Sequence, residues 1–144
     1  MEDPIPLPSH LRLAVLRLSR RLRQQTVGDI SASQYSALAS IAKHGELSLG
    51  ALATIERIAP PSMTRIAARL EERGLVTRRV DPSDRRISRV LINQAGIDLL
   101  DETRTRRDAY LAARLQALSP KEQDLLSRAL PLLERLAAED PATS

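Results

Sequence analysis

The sequence predicts a mainly α-helical fold that carries one small antiparallel β-hairpin. Three observations predict it. The 144 residues are 42% hydrophobic yet contain no Phe, no Trp and two Tyr, so the core is built from Leu, Ile, Val and Ala. Such aliphatic side chains suit helices, where they lose little rotamer freedom. Apolar residues recur at helical spacing along most of the chain, and the pattern switches to strand-like only around residues 75–92. Finally, residues 57–89 hold nine arginines (57, 65, 69, 73, 78, 79, 85, 86 and 89) against four acids (71, 72, 81 and 84), a net +5, while the remainder carries −1. The whole excess of +4 therefore sits in one stretch. A basic helix followed by a basic hairpin is shaped to grip a polyanion, and double-stranded DNA is the candidate.

Residues 1–8 hold three prolines and read as an extended arm. A helix follows over about 10–27, where Leu11, Val15, Leu18 and Leu22 share one face, Leu13 and Leu16 add a second, and arginines fill the rest. Gly28 and Asp29 break it. Ser31 with Gln34 has the capping-box pattern and opens a helix running to about Lys43, which Gly45 ends. Ser48 caps a short helix through Leu49, Leu52, Ala53 and Ile55. The next helix begins at Pro60 or Pro61, because proline is tolerated in a first turn. It runs through Met63, Ile66, Ala67 and Leu70 to Arg73, with Gly74 as a left-handed cap.

Residues 75–80 then read as a strand, Asp81-Pro82-Ser83-Asp84 as a turn, and residues 87–92 as a second strand. Asn93 caps a long helix over about 94–118. Ser119, Pro120 and Glu122 open a last helix, in which Pro131 predicts a kink or local break. Residues 140–144 are expected to fray.

Several classes are excluded or disfavoured. Without cysteine there are no disulfides and no thiol chemistry. No apolar run approaches the roughly 20 residues of a membrane span. Residues 1–8 have neither a basic leader nor an apolar stretch, so no signal peptide is expected, and the expected location is the cytoplasm. His10 and His44 lack metal-ligand spacing, and no nucleophile motif or Gly-rich phosphate loop is present. No enzyme activity, metal or cofactor is expected. Single-stranded nucleic acid usually needs aromatic platforms, which the basic region lacks.

Two short helices, a helix starting at Pro60-Pro61 and a basic hairpin describe a winged helix-turn-helix. The residues also resemble one family, the MarR transcriptional regulators. The likeness runs through residues 66–78 (IAARLEERGLVTR), then 81–86 (DPSDRR), then 90–96 (VLINQAG), and the long flanking helices extend it over nearly the whole chain. Two departures stand out. The family usually has Leu-Thr at Ile92-Asn93, although Asn caps helices as well as Thr. It also often carries polar residues where this chain has Pro60-Pro61, so fewer backbone donors are available there.

The resemblance implies a single domain over residues 1–144. Within it lie an N-terminal dimerisation helix (9–28), a DNA-binding lobe (31–93) and C-terminal dimerisation helices (94–140). The recognition helix spans about 60–73 and the wing about 75–92. A helix N-terminus in the major groove brings its positive dipole and side chains to base edges. The candidates are Pro61, Ser62, Thr64, Arg65 and Arg69. Arg65 is the choice for base contact, since Arg to guanine is the commonest specific pairing. Arg69 at i+4 is a like charge, which favours an external anion over a merely solvated face. Ser62 and Thr64 are candidates for phosphate.

At the wing, Arg85 and Arg86 are expected in the minor groove or along the backbone, with Asp84 holding a wing arginine in place. The plain alternative is a charged turn that keeps an edge soluble. Arg78, Arg79 and Arg89 read equally as phosphate contacts or solvated charges. Leu11, Val15, Leu18, Leu125, Leu132 and Leu136 are the expected dimer contacts, because stripes exposed in a monomer mark interfaces. A two-fold dimer would read an inverted repeat with half-sites roughly 34 Å apart. MarR-like proteins are commonly switched by small aromatic or lipophilic ligands. Tyr35, Tyr110 and His10 are the lining candidates here, though each also reads as a packing or surface residue. The expected function is a homodimeric regulator, a repressor released by such an effector. The alternative is a winged-helix adaptor for protein–protein contacts without specific DNA binding.

Overall fold

A computed structural model of the chain describes residues 4–140, so the expected arm over 1–8 and the fraying tail over 140–144 lie partly outside the described residues. The chain divides into two compact units, Met1–Arg107 and Asp108–Ser144. The boundary falls inside the long helix that follows the hairpin.

In the first unit, α1 spans Leu7–Arg23. It begins inside the expected arm, because Pro8 occupies the first turn, where a missing N–H costs nothing. It also ends short of the expected Val27. The last turn tightens, with the Gln25 N–H bonded to the Leu22 carbonyl and Thr26 to Arg23. Val27 leaves the helix to become buried, and its N–H donates to Thr103 Oγ1 at 3.2 Å. Arg107 completes this end, donating from Nε to the Leu22 carbonyl at 3.2 Å and from a terminal nitrogen to Thr26 Oγ1 at 3.0 Å.

Helix α2 (Ala32–His44) opens on the Ser31/Gln34 capping box, with both reciprocal bonds at 3.1 Å. Gly45, at φ 76°, ends it. A strand absent from the sequence expectation follows: β1 (Leu47–Ser48), only two residues long. Its register pairs Leu47 with Val90 and Ser48 with Arg89. Helix α3 (Leu49–Glu56) is capped by Ser48, which accepts from the Ala51 N–H at 3.1 Å.

Helix α4 (Pro60–Glu72) buries Met63, Ala67 and Leu70, one face at i, i+4, i+7. It ends in a Schellman motif: the Gly74 N–H bonds to the Glu71 carbonyl and the Leu75 N–H to the Leu70 carbonyl. Strands β2 (Val76–Val80) and β3 (Ser88–Ile92) form the expected hairpin, with Val76 opposite Ile92 and Val80 opposite Ser88. The sheet order is β1-β3-β2, so β3 is central. The core gathers Leu38 and Ile41 of α2, Leu52 of α3, Met63 and Leu70 of α4, and Val76 and Val90 of the sheet.

Helix α5 spans Gln94–Gln116. Asn93 caps it, accepting from the Gly96 N–H at 3.0 Å. A Cβ at Gly96 would run into the Leu75 carbonyl oxygen and lie 2.6 Å from the Ile92 side chain, so only glycine allows the helix start to sit this close to the sheet.

In the second unit, α5 gives way to two i+3 bonds that carry the turn to Leu118. Helix α6 (Pro120–Ala137) opens on the Ser119/Glu122 capping box. It runs unbroken through Pro131, so of the expected kink or local break the break does not occur. The carbonyl that loses its donor belongs to Ser127 on the exposed surface, and solvent can take the place of the missing N–H.

Candidate nucleic-acid interface

Helix α4 turns its apolar face inward, so Pro61, Thr64, Arg65 and Arg69 are exposed and Ser62 is half-buried. The first turn is unusual in its backbone. Ala59 provides no side-chain cap, and Pro60 and Pro61 fill the first helical positions. Of the four N–H groups that a helix start leaves without partners, two are therefore replaced by proline rings. What this end offers a ligand comes chiefly from side chains. Arg65 donates to Ser62 Oγ at 3.3 Å, which leaves the Ser62 hydroxyl proton available. The Thr64 hydroxyl is engaged differently, donating to the Pro60 carbonyl at 3.1 Å, so as a phosphate donor it would first have to release that bond.

The α2 N-terminus shares this surface. Ser31, Ser33 and Gln34 line, together with Ser62, Arg65 and Arg69, a hollow of about 310 Å³. Sequence reasoning treated Ser31 and Gln34 as a cap only and passed over Ser33. No local signal places residues 33 and 65 together.

The wing tip is held by two aspartates. Asp81 is buried, at 8% exposure. Its Oδ1 accepts from the Ser83 and Asp84 N–H groups at 2.7 and 3.2 Å, and its Oδ2 accepts from Arg89 Nε at 2.6 Å. The Arg89 guanidinium, helped by those amides, holds the Asp81 carboxyl below its ordinary value. Asp84 accepts from the Arg86 N–H and from its Nε and terminal nitrogen, all at 3.0 Å, so Arg86 is fixed in a bidentate fork. That fork lowers the Asp84 pKa and raises that of Arg86.

The remaining arginines divide sharply. Arg79 makes a bidentate pair with Glu46, at 2.7 Å for the longer bond, and holds the Glu46 carboxyl below its ordinary value. Arg78 pairs with Glu71 at 3.2 Å, Arg73 with Asp29 at 3.1 Å, and Arg69 with Glu72 at 3.4 Å. Six of the nine arginines in residues 57–89 thus have a carboxylate partner. Among the described residues, Arg57, Arg65 and Arg85 have none.

Tyr35 is half-buried beneath the Arg107 guanidinium, 4.3 Å from its ring centre. It helps line a hollow of about 300 Å³ with Arg23, Thr26, Ile30, Ser36 and Arg107. His10 is exposed and is not part of that lining. Tyr110 belongs to the second unit, where Arg114 lies over its ring at 5.2 Å.

The expected dimer contacts also divide. Leu11 is half-buried, Val15 and Leu18 are about half exposed, and Leu125, Leu132 and Leu136 are 62%, 57% and 70% exposed. Among the described residues, no helix is long and apolar enough to cross a membrane.

A helix-turn-helix followed by a β-hairpin wing defines a winged-helix transcription regulator, and known proteins agree. The MarR family model matches residues 30–88. An uncharacterised HTH-type transcriptional regulator of Mycobacterium bovis is 43% identical, with 98% of this chain and 99% of that protein covered. The HTH-type transcriptional repressor MdtR of Bacillus subtilis is 26% identical over 85% of this chain and 82% of its own. A solved structure of a transcriptional regulator protein from Pseudomonas aeruginosa superposes with a TM-score of 0.83 at 33% identity, covering 93% of this chain and 96% of that one. The chain belongs to the MarR family and is a transcription regulator, not an enzyme.

Proposed function

We propose that the protein represses transcription as a homodimer on an inverted-repeat DNA operator and that a small ligand releases it. The observation that carries the DNA reading is the selective pairing of arginines. Arg65 on α4 and Arg85 at the wing tip keep their charge uncompensated, while six neighbouring arginines are matched by carboxylates. A cation left unpaired amid so many carboxylates is available to an external anion. Arg65 takes the base-reading role, with Pro61 and Ser62 at the groove edge and Arg69 and Thr64 beside the backbone. Arg85 and Arg86 reach along the wing, Arg86 aimed by Asp84. Arg78, Arg79 and Arg89 have their charge already met, so they contribute to shape more than to phosphate binding.

Homodimer formation is supported by α1 and α6 themselves. Among the described residues neither helix has a buried side chain, yet each carries large apolar ones. Leaving both faces in water is unfavourable. Repression is supported by likeness to a relative named as a repressor. The hollow beside Tyr35, with its apolar Ile30 and two arginines, suits a small aromatic anion as effector.

The test is selection of bound duplexes from a randomised pool, repeated with Arg65→Ala. The parent should return a palindromic consensus. The variant should bind about 1–3 kcal/mol more weakly and lose discrimination at one position of each half-site. An unchanged consensus removes Arg65 from base reading. No enrichment by the parent refutes the operator reading and favours an adaptor.

A further inference from the structure

Among the described residues, four have a positive φ. Three are glycines: Gly28, Gly45 and Gly74. The fourth is Arg57, at φ 54° and ψ 43°. It occupies the turn of the helix-turn-helix, between α3 and α4.

The same hydrogen-bond motif surrounds Arg57 and Gly74. At the end of α3, the Arg57 N–H bonds to the Thr54 carbonyl at 3.2 Å and the Ile58 N–H to the Ala53 carbonyl at 3.0 Å. At the end of α4, the Gly74 N–H bonds to the Glu71 carbonyl at 2.9 Å and the Leu75 N–H to the Leu70 carbonyl at 3.0 Å. Both are Schellman closures, and neither uses the side chain of its left-handed residue. In this conformation a Cβ crowds the following carbonyl oxygen, so glycine is favoured. The chain uses glycine where it needs only the closure. At the turn before α4 it keeps an arginine instead.

The backbone motif does not explain that arginine, and neither does the surrounding surface. Arg57 is exposed, and among the described residues its guanidinium has no hydrogen-bond or carboxylate partner. It shares the lack of a carboxylate partner with Arg65 and Arg85 alone among the nine arginines of residues 57–89. The three lie on the turn, the recognition helix and the wing tip. Just beyond Arg57, Pro60 and Pro61 have removed two of the amide donors with which a helix N-terminus ordinarily holds a phosphate.

We infer that Arg57 is a phosphate contact, gripping the DNA backbone at the edge of the groove that α4 enters. Its side chain supplies the positive charge and donors that the proline-substituted first turn lacks. Strain kept at a charged, unpartnered residue is the mark of a functional constraint. The inference rests on α4 being the recognition helix.

The experiment compares the full-length parent with Arg57→Gly and Arg57→Lys. It uses anisotropy titrations on a duplex recovered by selection and on an unrelated duplex, over about 50–200 mM salt. Arg57→Gly should melt at a higher temperature than the parent, because it relaxes the backbone. It should nevertheless bind both duplexes more weakly, with the slope of log K against log salt shallower by about 0.9 per bound protomer. Arg57→Lys keeps the charge and should keep the slope. Parental slope and affinity in Arg57→Gly would overturn the assignment. So would an equal loss in Arg57→Lys, since the defect would then not follow charge. A lower melting temperature for Arg57→Gly would refute the strain on which the inference depends. If the parent binds no duplex, the DNA reading itself falls; if the parent binds and Arg57→Gly matches it, only the role of Arg57 falls.

Discussion

The side-chain amide of Asn93 donates to the Gly74 carbonyl oxygen at 2.7 Å, while its Oδ1 accepts from the Gly96 N–H at 3.0 Å. One residue therefore closes the end of α4 and opens α5. Threonine, the residue more usual in the family at this point, supplies a cap acceptor but not the forked amide that reaches Gly74 as well. Asn93→Thr should keep the cap and lose the second bond, lowering stability by about 0.5–1.5 kcal/mol. Asn93→Ala should lose more. Chemical denaturation of the two variants separates the contributions, and equal stabilities for Thr and Asn would show the Gly74 bond to be worthless.

Gly96 is the steric counterpart of that joint. A methyl there meets the Leu75 carbonyl, a backbone atom that cannot swing aside, and the Ile92 side chain. Gly96→Ala should destabilise the protein by about 1–3 kcal/mol, although alanine is ordinarily the better helix former. A melting temperature at or above the parent's would mean that α5 shifts freely.

Arg85 and Arg79 provide a charge-matched comparison on the wing. Arg85 has no carboxylate partner among the described residues, whereas Arg79 is neutralised by Glu46. Arg85→Ala should reduce the salt slope of DNA binding by about 0.9 per protomer, and Arg79→Ala by clearly less. Equal reductions would show that Arg79 abandons Glu46 on the complex.

Asp81 should make the wing sensitive to acid. Its folded-state pKa is depressed, by Arg89 first and then by the loop amides. A depressed carboxyl contributes stability that is fully present above its unfolded value, about 3.9, and is lost as pH falls through the folded value. Protection of the Ser83 and Asp84 amides, which donate to Asp81 Oδ1, should therefore fall below about pH 4, and Asp81→Asn should remove that dependence. Persistence of the acid response in the variant would assign it elsewhere.

Leu132 tests the dimer. At 57% exposure it contributes little to the fold of one chain. Leu132→Glu should yield a monomer by light scattering with helix content intact. A persisting dimer would place the interface away from this face of α6.

Most of the fold was legible because its punctuation is local. Ser31 with Gln34, Ser119 with Glu122, Gly45 and Gly74 each mark a helix end through neighbours within a few residues. What was not legible depends on distance or brevity. Strand β1 is two residues long, too short for any alternation to register. The end of α1 is set by Thr103 and Arg107, far along the chain. At the candidate site, adjacency was enough to expect that Asp84 holds a wing arginine, but only the fold picks out Arg86. The pairing of Arg79 with Glu46 and of Arg73 with Asp29 spans 33 and 44 residues. A charge count sees nine equivalent arginines in residues 57–89, and only the fold separates those already matched from those still open.

The proline pair at the start of α4 has a consequence for how target preference can change. Each ring locks its φ before any encounter, so on the proposed reading the leading turn would meet a duplex already rigid, and engagement would carry little ordering entropy there. With few main-chain hydrogens pointing outward, that turn imposes no fixed anchoring pattern of its own. Exchanging the side chains at positions 62, 64 and 65 would then be a route to a new operator that leaves the scaffold and its docking angle unaltered.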